Sequence, residues 1–214
     1  MFSTISILAI LVVLGAAGLH WLVYPCSDKR DWSPRGFVRL VVHVLTMFFI
    51  EQKLNFIGRV KHLAYLVLCL CFLVLFVTGF GTRLLYGHEL TGWVLMIHAT
   101  FAPVFAVCAA LAVLGWAQQC RLTADDWQWV IRLVCLRWRG LLENSPLGWK
   151  LTFWLGAALV IPVALSMVGS MYPIFGTHGQ EVLFELHRYA ALVLVLGAIV
   201  HVYLVMRAKF KADA

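Results

Sequence analysis

The stretch LHRYAALVLVLGAIVHVYLVM, residues 186–206, decides the fold. It holds one charged residue, Arg188, and otherwise reads as a continuous apolar run broken by two histidines, His187 and His201. About 20 apolar residues in a helix cover the hydrocarbon core of a bilayer, so this stretch is a membrane crossing. Ionisable side chains inside a crossing are costly and rare, which makes its two imidazoles the first candidates for function. They are separated by 14 residues, which on a helix puts them about 21 Å apart along the axis and within about 40° of one face.

Working outward, the rest of the chain has the same character. Of its 214 residues 63% are hydrophobic and 13% charged, with a mean hydropathy of +0.90; soluble domains carry roughly 25% charged residues. The runs predict five crossings, at about 5–24, 62–80, 91–116, 149–171 and 182–206. Between the first two, CSDKRDWSPR forms a polar hinge and residues 34–55 read as an interfacial amphipathic helix. The connection 118–148 contains a short periodic stretch that predicts a surface helix. The division expected is an N-terminal part, 1–58, and a four-helix part, 59–214. The whole is an all-α helical membrane bundle.

The net charge of +7 does not point to nucleic acid, because the basic residues flank apolar runs and form no patch interleaved with aromatics. They act as topology signals. With the N-terminus outside, 15 of the 17 lysines and arginines fall on inner segments, leaving Arg83 and Arg188 outside. The bias of short loops toward inner Lys and Arg therefore puts the C-terminus in the cytoplasm. The first run lacks a charged leader segment, so it is expected to stay as a helix. The six cysteines show no zinc or iron–sulfur spacing, and no CxxCH signals a covalent c-type haem.

Two imidazoles on one stripe, one per leaflet, suit two stacked haems if each has a partner on another helix at its own depth. His98 lies in the outer half of the third span, near the level of His187. His62 begins the second span on the inner side, near the level of His201. Depth pairs His98 with His187 and His62 with His201, as two bis-histidine haem b sites. A single membrane histidine could instead bond a neighbouring helix, but four at two matched depths are better explained by haem. Zinc is disfavoured, because the pairs lie a leaflet apart with no thiolate or carboxylate beside them. His20 and His43 lie near inner segments, where a solvated or interfacial role competes with an approach to the inner haem or a quinone. His88 and His178 fall in outer loops.

The last helix, LHRYAALVLVLGAIVHVYLVM, resembles that of the formate dehydrogenase gamma subunit family, whose wider group includes the b-type cytochrome anchors of nickel–iron hydrogenases and of thiosulfate reductase. RVKHLAYLVLCLCFLVLFVTGF, residues 59–80, is similar to the family's basic-x-x-His helix ending in Thr-Gly, and GWVLMIHATFAPVF, residues 92–105, to its next helix with one internal histidine. The resemblance covers about residues 60–208. It implies that His62 and His201 hold the inner haem and His98 and His187 the outer one, that an iron–sulfur subunit meets the outer face, and that quinone meets the inner haem. SPLGWKLTFW, residues 145–154, resembles a family segment reading tyrosine-asparagine-x-glycine-glutamine-lysine, with Gly148 and Lys150 retained. The family's quinone-contacting asparagine falls at Pro146 and its glutamine at Trp149, with Asn144 two residues earlier. The resemblance thus implies a quinone site around Asn144, Gly148, Lys150 and His201.

The function expected is a di-haem b-type cytochrome subunit of the cytoplasmic membrane that relays electrons between a peripheral redox subunit and the quinone pool. Two other readings stand beside it: a lone transmembrane cytochrome b served by a soluble donor, and a haem-free transporter component whose histidines relay protons.

Overall fold

The computed structural model describes residues 1–23, 56–87, 89–134 and 147–212. The expected interfacial helix at 34–55, with His43, lies outside these residues, as do His88, Asn144, Pro146, Cys26 and Cys135. The described residues form helices and turns without strands. In a bilayer every backbone amide and carbonyl must find its partner within the protein, and a helix does this within one apolar segment.

Helix α1 spans Phe2–Val23. Helix α2, Phe56–Phe76, runs on through a π turn, Val77–Gly81, and one further α turn, Thr82–Leu85. Helix α3 covers Gly92–Trp116, the short α4 Ala124–Val134 and α5 Leu147–Met171. After a 3-10 turn at Pro173–Phe175, α6 runs from Gly176 to Ala212. Five of these segments are long and apolar enough to cross a membrane, so the chain is a multi-pass membrane protein. Large apolar side chains such as Leu11, Leu114 and Leu165 are exposed, as lipid-facing residues are.

The ends of the spans differ from the sequence expectation in three places, each for a physical reason. The second helix is already formed at Phe56, because Arg59 and Lys61 can snorkel from a helix end without breaking it; His62 therefore lies nearly two turns or more inside. At the other end Gly79 and Gly81 do not stop the helix, which widens into the π turn. The last helix begins at Gly176, so His178 sits in its first turn and not in a loop. Gly176 has φ +65°, a left-handed conformation open to glycine, and it lets the chain turn out of Pro173–Phe175 directly into helix.

The chain forms two compact units. Of the described residues, the first contains 1–7, 18–23, 56–87, 89–115 and 210–212, and in it α2 and α3 pack antiparallel. Lys61 Nζ donates to the Gly115 carbonyl at 2.9 Å at one end, Phe72 meets Phe105 midway with ring centroids 6.2 Å apart, and Thr78 meets His98 at the other end. Buried Cys71, Cys108, Ala109 and Ala112 line this unit; small side chains let membrane helices approach closely. Phe2 of α1 lies against Phe80, centroids 6.2 Å apart.

The second unit contains, of the described residues, 8–17, 116–134 and 147–209, and α5 and α6 pair antiparallel in constant register. Gly148 faces Leu204, Thr152 faces His201, Leu155 faces Gly197 and Gly169 faces Leu183. At Gly148 an added Cβ would stand 3.0 Å from a Leu204 methyl, so the missing side chain is part of the packing. Ala190, Leu192, Leu194 and Val195 of α6 are buried in this unit.

Candidate histidine centres

Each unit carries one candidate histidine toward each end of its helix pair. In the first, His62 follows Lys61 at the Gly115 end, and His98 stands at the Thr78 end. In the second, His201 lies opposite Thr152 and His187 opposite Val163. All four are half-buried.

Three of the four rings are held at Nδ1. The Thr78 hydroxyl lies 2.8 Å from His98 Nδ1 and 2.7 Å from the Val74 carbonyl. A carbonyl can only accept, so the hydroxyl proton lies toward Val74, and the oxygen's lone pairs face the imidazole. His98 Nδ1–H then donates to Thr78 Oγ1. The same argument applies at His201: Thr152 Oγ1 donates to the Gly148 and Trp149 carbonyls, at 3.0 and 3.1 Å, and accepts from His201 Nδ1–H at 2.9 Å. His187 Nδ1–H donates at 2.9 Å to the Val163 carbonyl, which also accepts from Ser166.

The chemical consequence is a fixed tautomer. A neutral imidazole that donates from Nδ1 carries its lone pair at Nε2, the form in which histidine ligates a metal. An N–H held by a carbonyl or hydroxyl is the outer partner that orients histidine ligands at metal centres. No such bond is present at His62 among the described residues.

Sequence reading named Thr78 only as part of a Thr-Gly helix end and missed its bond to His98, as it missed Thr152 and Val163 as partners. The threonines carried a signal, each being a polar residue in an apolar span and capable of bonding the carbonyl one turn back. Val163 carried none, because its contribution is a backbone carbonyl.

Near the start of α5 the structure adds Asp126. Its carboxylate lies 2.5 Å from Lys150 Nζ, with the two residues 3% and 7% exposed, and it accepts from the Thr123 amide and hydroxyl at 2.9 Å each. Burial pushes this carboxyl up, but the bonds from Lys150 and Thr123 outweigh it and hold it below the usual carboxylate range. Trp154 donates its indole N–H to the Cys120 carbonyl at 2.9 Å. Burial raises the Cys120 thiol, against a smaller opposing pull from Lys150. Of the residues expected around quinone, Gly148 therefore packs on Leu204, Lys150 is ion-paired, and His201 is held by Thr152.

Two arginines lie on the same helices as these histidines. Arg188 pairs with Glu185 at 2.5 Å and lies over the Phe184 ring. Arg83, two residues beyond the π turn, has a buried Nε without a hydrogen-bond acceptor among the described residues. His20 lies half-buried in the last turn of α1. Among the described residues no three His, Cys, Asp or Glu side chains converge as a metal site. Comparisons with family models, curated proteins and solved structures give no match to this chain.

Proposed function

We propose that the chain is a di-haem b-type cytochrome subunit that carries electrons across the membrane, with His98 and His187 as axial ligands of one haem b and His62 and His201 as those of the other. The observation that carries this reading is the anchoring of three of these four imidazoles at Nδ1 by oxygen acceptors, which leaves the lone pair on Nε2. Histidines that served only as bridges between helices would have no need of a common tautomer. The pairing follows from span order and depth in the sequence.

The residues present fit the group. A haem brings two carboxylates as well as iron, and Arg83, whose buried Nε lacks an acceptor among the described residues, would hold a carboxylate at the end of the helix that carries Thr78. Haem, when bound, supplies a one-electron iron couple. The chain supplies orientation through Thr78, Thr152 and Val163, and a low-dielectric surround from apolar side chains. His187 and His201 stand about 21 Å apart along α6, which spaces the two centres across the bilayer.

In this reading an iron–sulfur subunit meets the outer face and exchanges electrons with the His98/His187 centre, and quinone meets the His62/His201 centre near Asn144, Gly148 and Lys150. Because Lys150 is already paired with Asp126, its part there is to fix the start of α5 and so the Thr152 hydroxyl that holds His201. The chain lies in the cytoplasmic membrane with its N-terminus outside.

A pyridine haemochrome assay on purified protein tests this. It is expected to give about two haem b per chain, with His187→Ala and His201→Ala each removing one. Retention of both haems in both variants would overturn the ligand assignment, and protein without reducible Soret and α bands in haem-replete cells would favour a haem-free proton relay.

A further inference from the structure

We propose that the π turn at the end of α2 is a positioning device for His98, in which Thr78 sets the plane of the imidazole and Gly79 leaves the space that the ring occupies. The inference rests on the reading of His98 as an axial ligand, and it assigns its two key residues, Thr78 and Gly79, a role in tuning that centre.

Three features of the turn converge on one ring. The first is the backbone itself. Residues Val77–Gly81 are π-helical between two α-helical stretches, and single π turns inside α-helices are frequently found at functional sites. A π turn shifts the amide donor from the fourth to the fifth residue along, which takes a carbonyl out of the regular ladder. Buried carbonyls need partners, and a threonine supplies one: Thr82 Oγ1 donates to the Thr78 carbonyl at 2.6 Å. That hydroxyl makes the widened turn tolerable in an apolar setting, while Thr78 Oγ1 donates to the Val74 carbonyl of the preceding α turn at 2.7 Å.

The second feature is the direction of the Thr78 hydroxyl. With its proton committed to Val74, its oxygen can only accept from His98, at 2.8 Å. The relay is polarised one way, from imidazole N–H to hydroxyl to helix carbonyl, and it fixes both the tautomer and the rotation of the ring.

The third feature is Gly79. A Cβ built there would stand 3.1 Å from His98 Cε1 and 3.7 Å from Nδ1. That is closer than ordinary van der Waals contact, so any side chain at 79 would push the ring. Thr78 pulls the imidazole by one edge, and Gly79 permits it to come that near. By contrast, Thr152 holds His201 from an unbroken α-helix, so among the described residues the π turn belongs to the His98 centre.

The test uses the full-length protein in detergent, with haem content, the low-field EPR signals of the oxidised low-spin centres and their midpoint potentials measured together. For two imidazoles on one iron, the EPR signal depends on the angle between the ring planes, and the potential on hydrogen bonding at Nδ1. Thr78→Val is expected to move the signal and potential of one centre while leaving the other unchanged, or to lose that one haem alone. Thr78→Ser, which keeps the hydroxyl, is expected to restore both. Gly79→Ala is expected to move the EPR signal of that same centre. Two haems with signals and potentials unmoved in Thr78→Val and Gly79→Ala would overturn the positioning role and leave the ligand assignment standing. Wild-type protein without haem would overturn the ligand assignment and this inference with it.

Discussion

Ser6 and Thr78 are both hydroxyl residues in apolar helices, and their surroundings give them opposite roles. Thr78 uses donor and acceptor at once, toward Val74 and His98. Ser6 is completely buried, and its oxygen has no hydrogen-bond partner among the described residues. A buried polar group left unmade costs about 1–3 kcal/mol, while the change from serine to alanine removes that atom with little change in shape. Ser6→Ala is therefore expected to leave stability unchanged or raise it by about 1 kcal/mol, read as a higher thermal midpoint in detergent. A marked fall would show that the hydroxyl has a partner in the membrane. The same reasoning explains why the histidine partners were only half legible. A threonine in an apolar run stands out in sequence, but the direction of its proton depends on where the carbonyls and the imidazole lie.

At the scale of an element, α4 shows how a surface helix is fixed. Thr123 and Asp126 exchange bonds across its first turn, Asp126 amide to Thr123 hydroxyl at 3.3 Å and Thr123 amide to Asp126 carboxylate at 2.9 Å, in the manner of a capping box. Lys150 then ties this turn to α5. Removing one member of a buried pair leaves the other uncompensated and costs about 3–5 kcal/mol, whereas replacing both by apolar residues is often neutral. Lys150→Met alone is thus expected to release α4, seen as faster hydrogen exchange over residues 124–134, and Asp126→Leu with Lys150→Met to recover most of the protection. The pH dependence has a definite sign. Because the folded carboxyl lies below its usual value of about 3.9, its contribution is complete above that pH and is lost as pH falls through the lowered folded value. Protection of α4 should therefore be flat from pH 5 to 8 and fall only in stronger acid, about pH 4 and below. In Asp126→Asn that acid step should vanish.

At the scale of the molecule, the positive-inside bias makes a prediction that needs no haem. The turn after α2 and the turn after α3 lie at opposite ends of that helix pair, as Lys61–Gly115 and Thr78–His98 show. Exposed Glu89 and Gln118 mark the two turns. In a cysteine-free background, Glu89→Cys is expected to react with a membrane-impermeant maleimide added to intact spheroplasts, and Gln118→Cys only after permeabilisation. The reverse pattern would invert the proposed orientation and place the Asn144–Lys150 segment outside.

The sequence by itself determined that this is a helical membrane protein and where its crossings fall, because hydrocarbon admits only backbones that satisfy their own hydrogen bonds and apolar runs of spanning length leave little choice. It also singled out His62, His98, His187 and His201, since imidazoles inside such runs are conspicuous. Only the tertiary structure decided what holds the rings: Thr78 through a π turn, Thr152 through the α5–α6 register, and the carbonyl of Val163. It also brought Asp126 to Lys150, 24 positions away. These contacts depend on directions and distances between helices, and a one-dimensional pattern of apolar residues specifies which faces meet far better than which atoms do.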